Sequence, residues 1–99
     1  MTVSEYLWKV YTWNDSHPEG TPMHVNDMTI AMAMVNDTIP GNTGYEMEMK
    51  VRGFHGLHYF DLVEAKKQAD GDFEKWDAIV TPMYEEYLKQ LAEYEASKG

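Results

Sequence analysis

The stretch that decides the predicted fold class is YEMEMKVR, residues 45–52. Apolar and charged residues alternate strictly through it, with apolar side chains at the odd-numbered positions and charged side chains at the even-numbered ones. Successive side chains of a strand point to opposite faces of a sheet, so this period of two predicts a half-buried strand with a charged outer face.

Two further segments are predicted to complete a small antiparallel sheet. Residues 57–62 can return antiparallel to 45–52 across GFHG at 53–56, which predicts a hairpin. Residues 5–13 are rich in aromatic and β-branched side chains, a composition typical of strands. A helix is the competing interpretation of residues 5–13, because Thr2 and Glu5 have the spacing of a capping box.

Helices are predicted to cover one face of this sheet. Residues 27–39 place apolar side chains at helical spacing and are followed by Pro40, which favours a helix, although every second residue from 28 to 34 is also apolar, as in a strand. A shorter helix near 62–69 is predicted to end at Gly71.

The C-terminal region 73–97 has the clearest helical pattern. Its apolar residues recur at steps of three and four: Phe73, Trp76, Val80, Met83, Tyr87, Leu91 and Tyr94. Pro82 lies inside this stripe, and it is expected to kink the helix or to start a new one with Thr81 as the N-cap. The predicted fold is therefore α+β, in one compact domain over residues 1–99.

Composition excludes several classes of function. The 99 residues include no cysteine, which excludes disulfides, zinc–thiolate sites and cysteine nucleophiles. Seventeen acidic against eight basic residues give a net charge of −9, which disfavours binding to nucleic acid or to anionic membranes. No uncharged stretch is long enough to span a bilayer and the first residues lack signal-peptide features, so we expect a cytoplasmic protein.

The clearest candidate for chemistry is the pair His55 and His58, with Asp61 and Glu64 downstream. On one helix face such side chains can hold zinc or iron. Gly53 and Gly56 favour a turn at this point, which would separate the ligands, so a structural role is favoured and no metal or cofactor is expected. No sequence motif for a nucleophile or for phosphate binding is present. We therefore expect a protein that is not an enzyme.

The charge pattern is the strongest functional signal. Residues 10–49 contain no lysine or arginine, and they hold six acidic residues: Asp15, Glu19, Asp27, Asp37, Glu46 and Glu48. A field of one sign steers partners of the opposite sign. We therefore hypothesise that these carboxylates bind a basic partner, with Trp8, Tyr11 and Trp13 as exposed apolar anchors. The alternative is a solvated acidic face with no partner.

The favoured function is a protein that occupies a basic, nucleic-acid-binding surface of its partner, its spaced carboxylates standing in for phosphates. In size and charge the chain resembles the small acidic inhibitors that phages deploy against restriction and CRISPR nucleases, although no motif is shared. That resemblance implies an inhibitor that mimics nucleic acid. Two alternatives are a small metal-dependent enzyme using His55, His58 and Asp61, and a structural protein whose apolar helix stripe packs on a second copy.

Overall fold

The computed structural model describes residues 1–13 and 28–98. These residues contain the helices α1 (Val3–Tyr11), α2 (Met28–Asp37), α3 (Thr43–Leu57), α4 (Tyr59–Ala69) and α5 (Phe73–Lys98). The described residues contain no strand, so the predicted α+β fold with its antiparallel sheet is wrong. The fold is all-α.

The first helix, α1, includes most of the segment that was expected to form a strand at 5–13. Its N-terminus is closed by a capping box, in which the Thr2 hydroxyl accepts from the Glu5 backbone N–H and the Glu5 carboxylate accepts from the Thr2 N–H. Aromatic and β-branched residues occupy one buried helical face, formed by Val3, Tyr6, Leu7, Val10 and Tyr11. The capping interaction and the helical spacing outweigh the strand-like composition.

The alternating stretch 45–52 lies inside α3. Met47, Val51 and Phe54 are buried, at spacings of four and three residues. Tyr45 and Met49 are 61% and 68% exposed, although strict alternation placed them on the buried face. A strand and a helix both bring residues i and i+4 to the same side, so the pair Met47 and Val51 fits either period. This overlap explains why the alternation was misleading.

The predicted hairpin at 57–62 is replaced by the junction between α3 and α4. His58 lies between the two helices: its backbone N–H donates to the Phe54 carbonyl, and its own carbonyl accepts from the Leu62 N–H, each at 2.9 Å. The backbone groups are therefore satisfied along the helices and not across a pair of strands.

The helix predicted near 27–39 is confirmed as α2, and the one near 62–69 as α4, which begins earlier, at Tyr59. The chain leaves α4 through Asp70 and Gly71, which have φ values of 48° and 84°. Glycine adopts such positive φ values without the strain that a side chain introduces. Asp72 then caps α5, its side chain accepting from the Glu74 N–H at 2.9 Å.

The last helix, α5, runs without interruption for 26 residues, with Pro82 inside it. The expected restart at Thr81 is wrong, because the Thr81 hydroxyl donates to Asp77 one turn earlier, at 2.7 Å, and does not cap a new helix. In the described parts of the chain, no helix is both long enough and apolar enough to cross a membrane.

The core forms where α1 packs against α5, α2 and α3, while α4 packs along α5. Trp76 lies at its centre, fully buried, with ring centroids 5.5 Å from Trp8 and 5.4 Å from Tyr11. Its indole N–H donates to the Ser4 carbonyl at 2.9 Å. The last buried residue of α5 is Val80. Farther along the apolar stripe, Met83 and Tyr87 are partly buried against the core, whereas Leu91 and Tyr94 are exposed.

Candidate binding surface

The described part of the acidic stretch 10–49 lies on two helices. Asp37 at the end of α2 and Glu46 in the first turn of α3 are exposed. The Glu48 side chain is only 14% exposed, and it forms an ion pair of 3.1 Å with Arg52. The other three predicted residues, Asp15, Glu19 and Asp27, lie outside the described residues. Asp37 and Glu46 are thus the predicted carboxylates that face solvent in this structure.

The three aromatic residues predicted as anchors belong to the core. Tyr11 is 4% exposed, and its hydroxyl is 2.9 Å from Nε2 of His55. Trp8 and Trp13 are partly buried and pack against the core. The expectation of exposed anchor rings is wrong for Tyr11, which is buried. The rings of Trp8 and Trp13 are only partly exposed. Trp8 and Tyr11 are three residues apart on α1, and both of their rings contact Trp76.

The two histidines of the candidate metal site have different environments. His55 is buried and bonded to Tyr11, with its ring also against Tyr59. His58 is partly exposed, with Nδ1 3.0 Å from the Asp61 carboxylate. Among residues 1–13 and 28–98, no three histidine, aspartate or glutamate side chains are grouped as metal ligands. The turn expected at Gly53 and Gly56 is wrong, because both residues lie within α3.

Acid is expected to destabilise the fold through His55. Burial lowers the pKa of His55 below its usual value of about 6.5. Between this usual value and the lowered pKa, His55 binds a proton in the unfolded chain but not in the folded chain. The free energy of unfolding therefore falls as the pH drops through this range. Urea titrations at about pH 7 and about pH 5.5 measure this fall. His55→Gln, which cannot titrate, should show a smaller fall; equal falls in both proteins would contradict the assignment.

A groove of about 750 Å³ opens between the N-terminus of α1, the middle of α3 and the middle of α5. Its apolar lining consists of Met1, Val3, Met49, Tyr84, Tyr87, Leu88 and Leu91. Met49 is 68% exposed, Leu88 43% and Leu91 39%, so much apolar surface in the groove is uncovered. A groove of this size with an apolar lining is typical of a binding site.

The α3 wall of the groove depends on Gly53. A Cβ atom built there would lie 2.6 Å from the Tyr87 hydroxyl, so the absence of a side chain allows Tyr87 to lie close to α3. Met49, Lys50 and Gly53 follow Glu46 by three, four and seven residues and therefore share one face of α3 with it. The acidic stretch thus reaches the rim of the groove at Glu46.

A carboxylate lies beside the α1 end of the groove. Asp77 accepts from the hydroxyls of Ser4 and Thr81, both of which line the groove. The hydrogen bond from Ser4, and then the one from Thr81, hold the pKa of Asp77 below its usual value. Asp77 therefore stays negatively charged at neutral pH, next to the apolar lining.

The sequence patterns did not single out the groove residues as a site. Leu91 belongs to the apolar stripe predicted over 73–97, and Met49 belongs to the predicted buried face of a strand. The feature that indicates an uncovered region is the length of α5. At a rise of about 1.5 Å per residue, its 26 residues form a longer helix than the 9- to 15-residue helices that pack on it, so part of α5 extends beyond them.

No protein-family model, curated protein or solved structure matches this chain. The resemblance in size and charge to phage inhibitors therefore has no support from similarity of sequence or fold. The surfaces described above are the basis for the functional proposal.

Proposed function

We propose that this chain is a non-enzymatic module that binds a basic protein. The observation that supports this is an acidic excess that the fold does not use. Between described residues, Arg52 forms an ion pair with Glu48, and His58 forms a hydrogen bond with Asp61. Exposed carboxylates such as Asp37 and Glu46 form no ion pair with a described basic side chain. A net charge of −9 therefore acts on approaching partners, steering basic ones toward the molecule.

Occupying a basic surface has a consequence for the partner. Where that surface serves to bind nucleic acid, carboxylates at the interface take the place of phosphates, and the nucleic acid is displaced. We therefore propose that the module acts as an inhibitor of a nucleic-acid-binding protein. Supporting this proposal is the lack of basic residues over positions 10–49, since a basic patch there would weaken the attraction to such a surface.

The test begins with capture of partners from a lysate on the immobilised protein, followed by purification of the captured protein. Its dissociation constant is then measured by titration calorimetry at about 50 and about 500 mM salt, between which the Debye length shrinks from roughly 14 Å to about 4 Å. We expect affinity to fall by about tenfold or more, because attraction between surface charges is screened. A partner whose affinity ignores salt would contradict the proposal.

Charge reversal locates the acidic surface. Asp37→Lys combined with Glu46→Lys is expected to raise the dissociation constant by about tenfold, since each lost attraction of about 0.2–1 kcal/mol is replaced by repulsion. The matched control is Glu64→Lys combined with Glu74→Lys, at two exposed positions outside 10–49. Both double variants change the net charge equally. If both double variants lost the same affinity for the partner, binding would depend on the total charge and not on residues 10–49.

A further inference from the structure

We propose that the groove between α1, α3 and α5 is the docking site, and that its occupant is an amphipathic helix of the partner whose apolar face is flanked by lysine or arginine. This inference rests on the proposed function, since it identifies where the basic partner binds and through what structure. Three features support it: the spacing of the groove residues, the placement of charge around them and the uncovered apolar surface.

The spacing of the lining residues fits a helix. On α5, Tyr84, Leu88 and Leu91 stand at positions i, i+4 and i+7, which forms one continuous ridge. On α3, Met49 and Gly53 are four residues apart on the facing wall, and the Tyr87 hydroxyl of α5 fits against Gly53. An amphipathic helix presents its apolar residues at the same spacings, so it can interdigitate with such a ridge.

The charges around the groove favour a basic occupant. Glu46 shares the face of α3 that forms one wall, Glu85 lines the other wall, and Asp77 lies at the α1 end. Among the described residues that line the groove, Lys50 and Glu85 are the two charged side chains, so the acidic excess comes from Glu46 and Asp77 beside the lining. From Asp77 to Lys98, α5 carries five carboxylates and two lysines. Basic residues beside the apolar face of a helix would meet these carboxylates.

The same charges argue against a second copy of this chain as the occupant. A second copy brings the same net charge of −9 and the same acidic α5. Its approach is therefore opposed by repulsion, which salt would relieve, whereas salt weakens attraction to a basic helix. The two occupants thus predict opposite responses to salt.

The experiment uses a synthetic peptide of about 18 leucines and lysines, long enough to form a helix and with leucine at i, i+3, i+4 and i+7. A scrambled peptide of identical composition keeps the charge and lacks the apolar face. A third peptide has glutamate in place of lysine. Fluorescence anisotropy with the full chain should show binding of the first peptide, binding at least about tenfold weaker for the scrambled one, and none for the glutamate version.

Substitutions in the groove distinguish this site from the rest of the acidic surface. Leu91→Asp and Met49→Asp, one on each wall, should each weaken binding of the first peptide by at least about tenfold. Phe60→Asp is the matched control: it adds the same charge at a residue that is 84% exposed and outside the groove lining, and it should leave binding unchanged. Circular dichroism confirms that all three variants keep the helical content of the parent chain.

Each remaining outcome has one meaning. Equal binding of the ordered and scrambled peptides, with no loss in Leu91→Asp and Met49→Asp, would overturn the groove as the docking site while leaving a basic partner in place. If neither lysine peptide binds, both the groove as the docking site and the proposal of a basic partner are overturned. Light scattering that shows a dimer favoured by salt and lost in Leu91→Asp would assign the groove to a second copy.

Discussion

Trp76→Ala is expected to lower the free energy of unfolding by about 3–5 kcal/mol, a large part of the roughly 5–15 kcal/mol that stabilises a domain of this kind. The substitution removes the largest fully buried side chain, and the space it leaves lies between α1 and α5. It also removes the indole N–H that donates to the Ser4 carbonyl. Urea denaturation followed by circular dichroism measures the loss without relying on tryptophan fluorescence.

Trp76→Phe serves as the control for this prediction. It keeps an aromatic ring in the core and removes the hydrogen bond to Ser4, so the expected loss is smaller, about 1–2 kcal/mol. The difference between the two variants reports the packing of the ring against Trp8 and Tyr11. If alanine and phenylalanine were equally destabilising, Trp76 would not be the centre of the core.

Two glycines of α3 are expected to respond to alanine with opposite signs. At Gly44, a Cβ would lie 2.8 Å from the Cα of Asn36, a backbone atom that cannot rotate away. Gly44→Ala should therefore separate α2 from α3 and disturb the 2.8 Å hydrogen bond from the Tyr6 hydroxyl to Asn36. We expect a loss of about 1–3 kcal/mol, as for overpacked cores.

Gly56→Ala is the matched substitution in the same helix. No described atom lies within 4 Å of a Cβ at this position, so alanine meets no obstacle. Its higher helix propensity should then raise the free energy of unfolding by about 0.5–1 kcal/mol. Thermal denaturation of the two variants beside the parent chain gives both signs in one experiment. A gain in Gly44→Ala would contradict the close approach of α2 and α3.

The elements that were predicted correctly carry their signals in short, local stretches. The stripe from Phe73 onward has a period that only a helix satisfies, and Asp72 provides its cap. At 45–52 the local signal was misleading, because the buried residues Met47 and Val51 are compatible with both periods. A helix and a strand differ in where they place Phe54 and Met49. The burial of Phe54 and the exposure of Met49 fit a helix, and both depend on the neighbouring helices.

The candidate site shows the same division. The acidic stretch is visible in the sequence, and two of its carboxylates, Asp37 and Glu46, are exposed as expected. The groove is not visible there, because its walls come from residues 1–4, 49–53 and 81–91, which are far apart along the chain. Tyr11 shows the reverse: an aromatic residue predicted at the surface is covered because His55 and Trp76 pack on it.

By itself, the sequence determined the net charge of −9, the exclusion of cysteine chemistry and the helical period of the last 26 residues of the fold. The tertiary structure alone decided which apolar faces are covered. Val80 and Leu91 belong to the same stripe, yet Val80 is fully buried, whereas Leu91 remains 39% exposed in the groove. The physical reason is that periodicity orients a side chain on its helix, whereas burial requires another segment to pack against it.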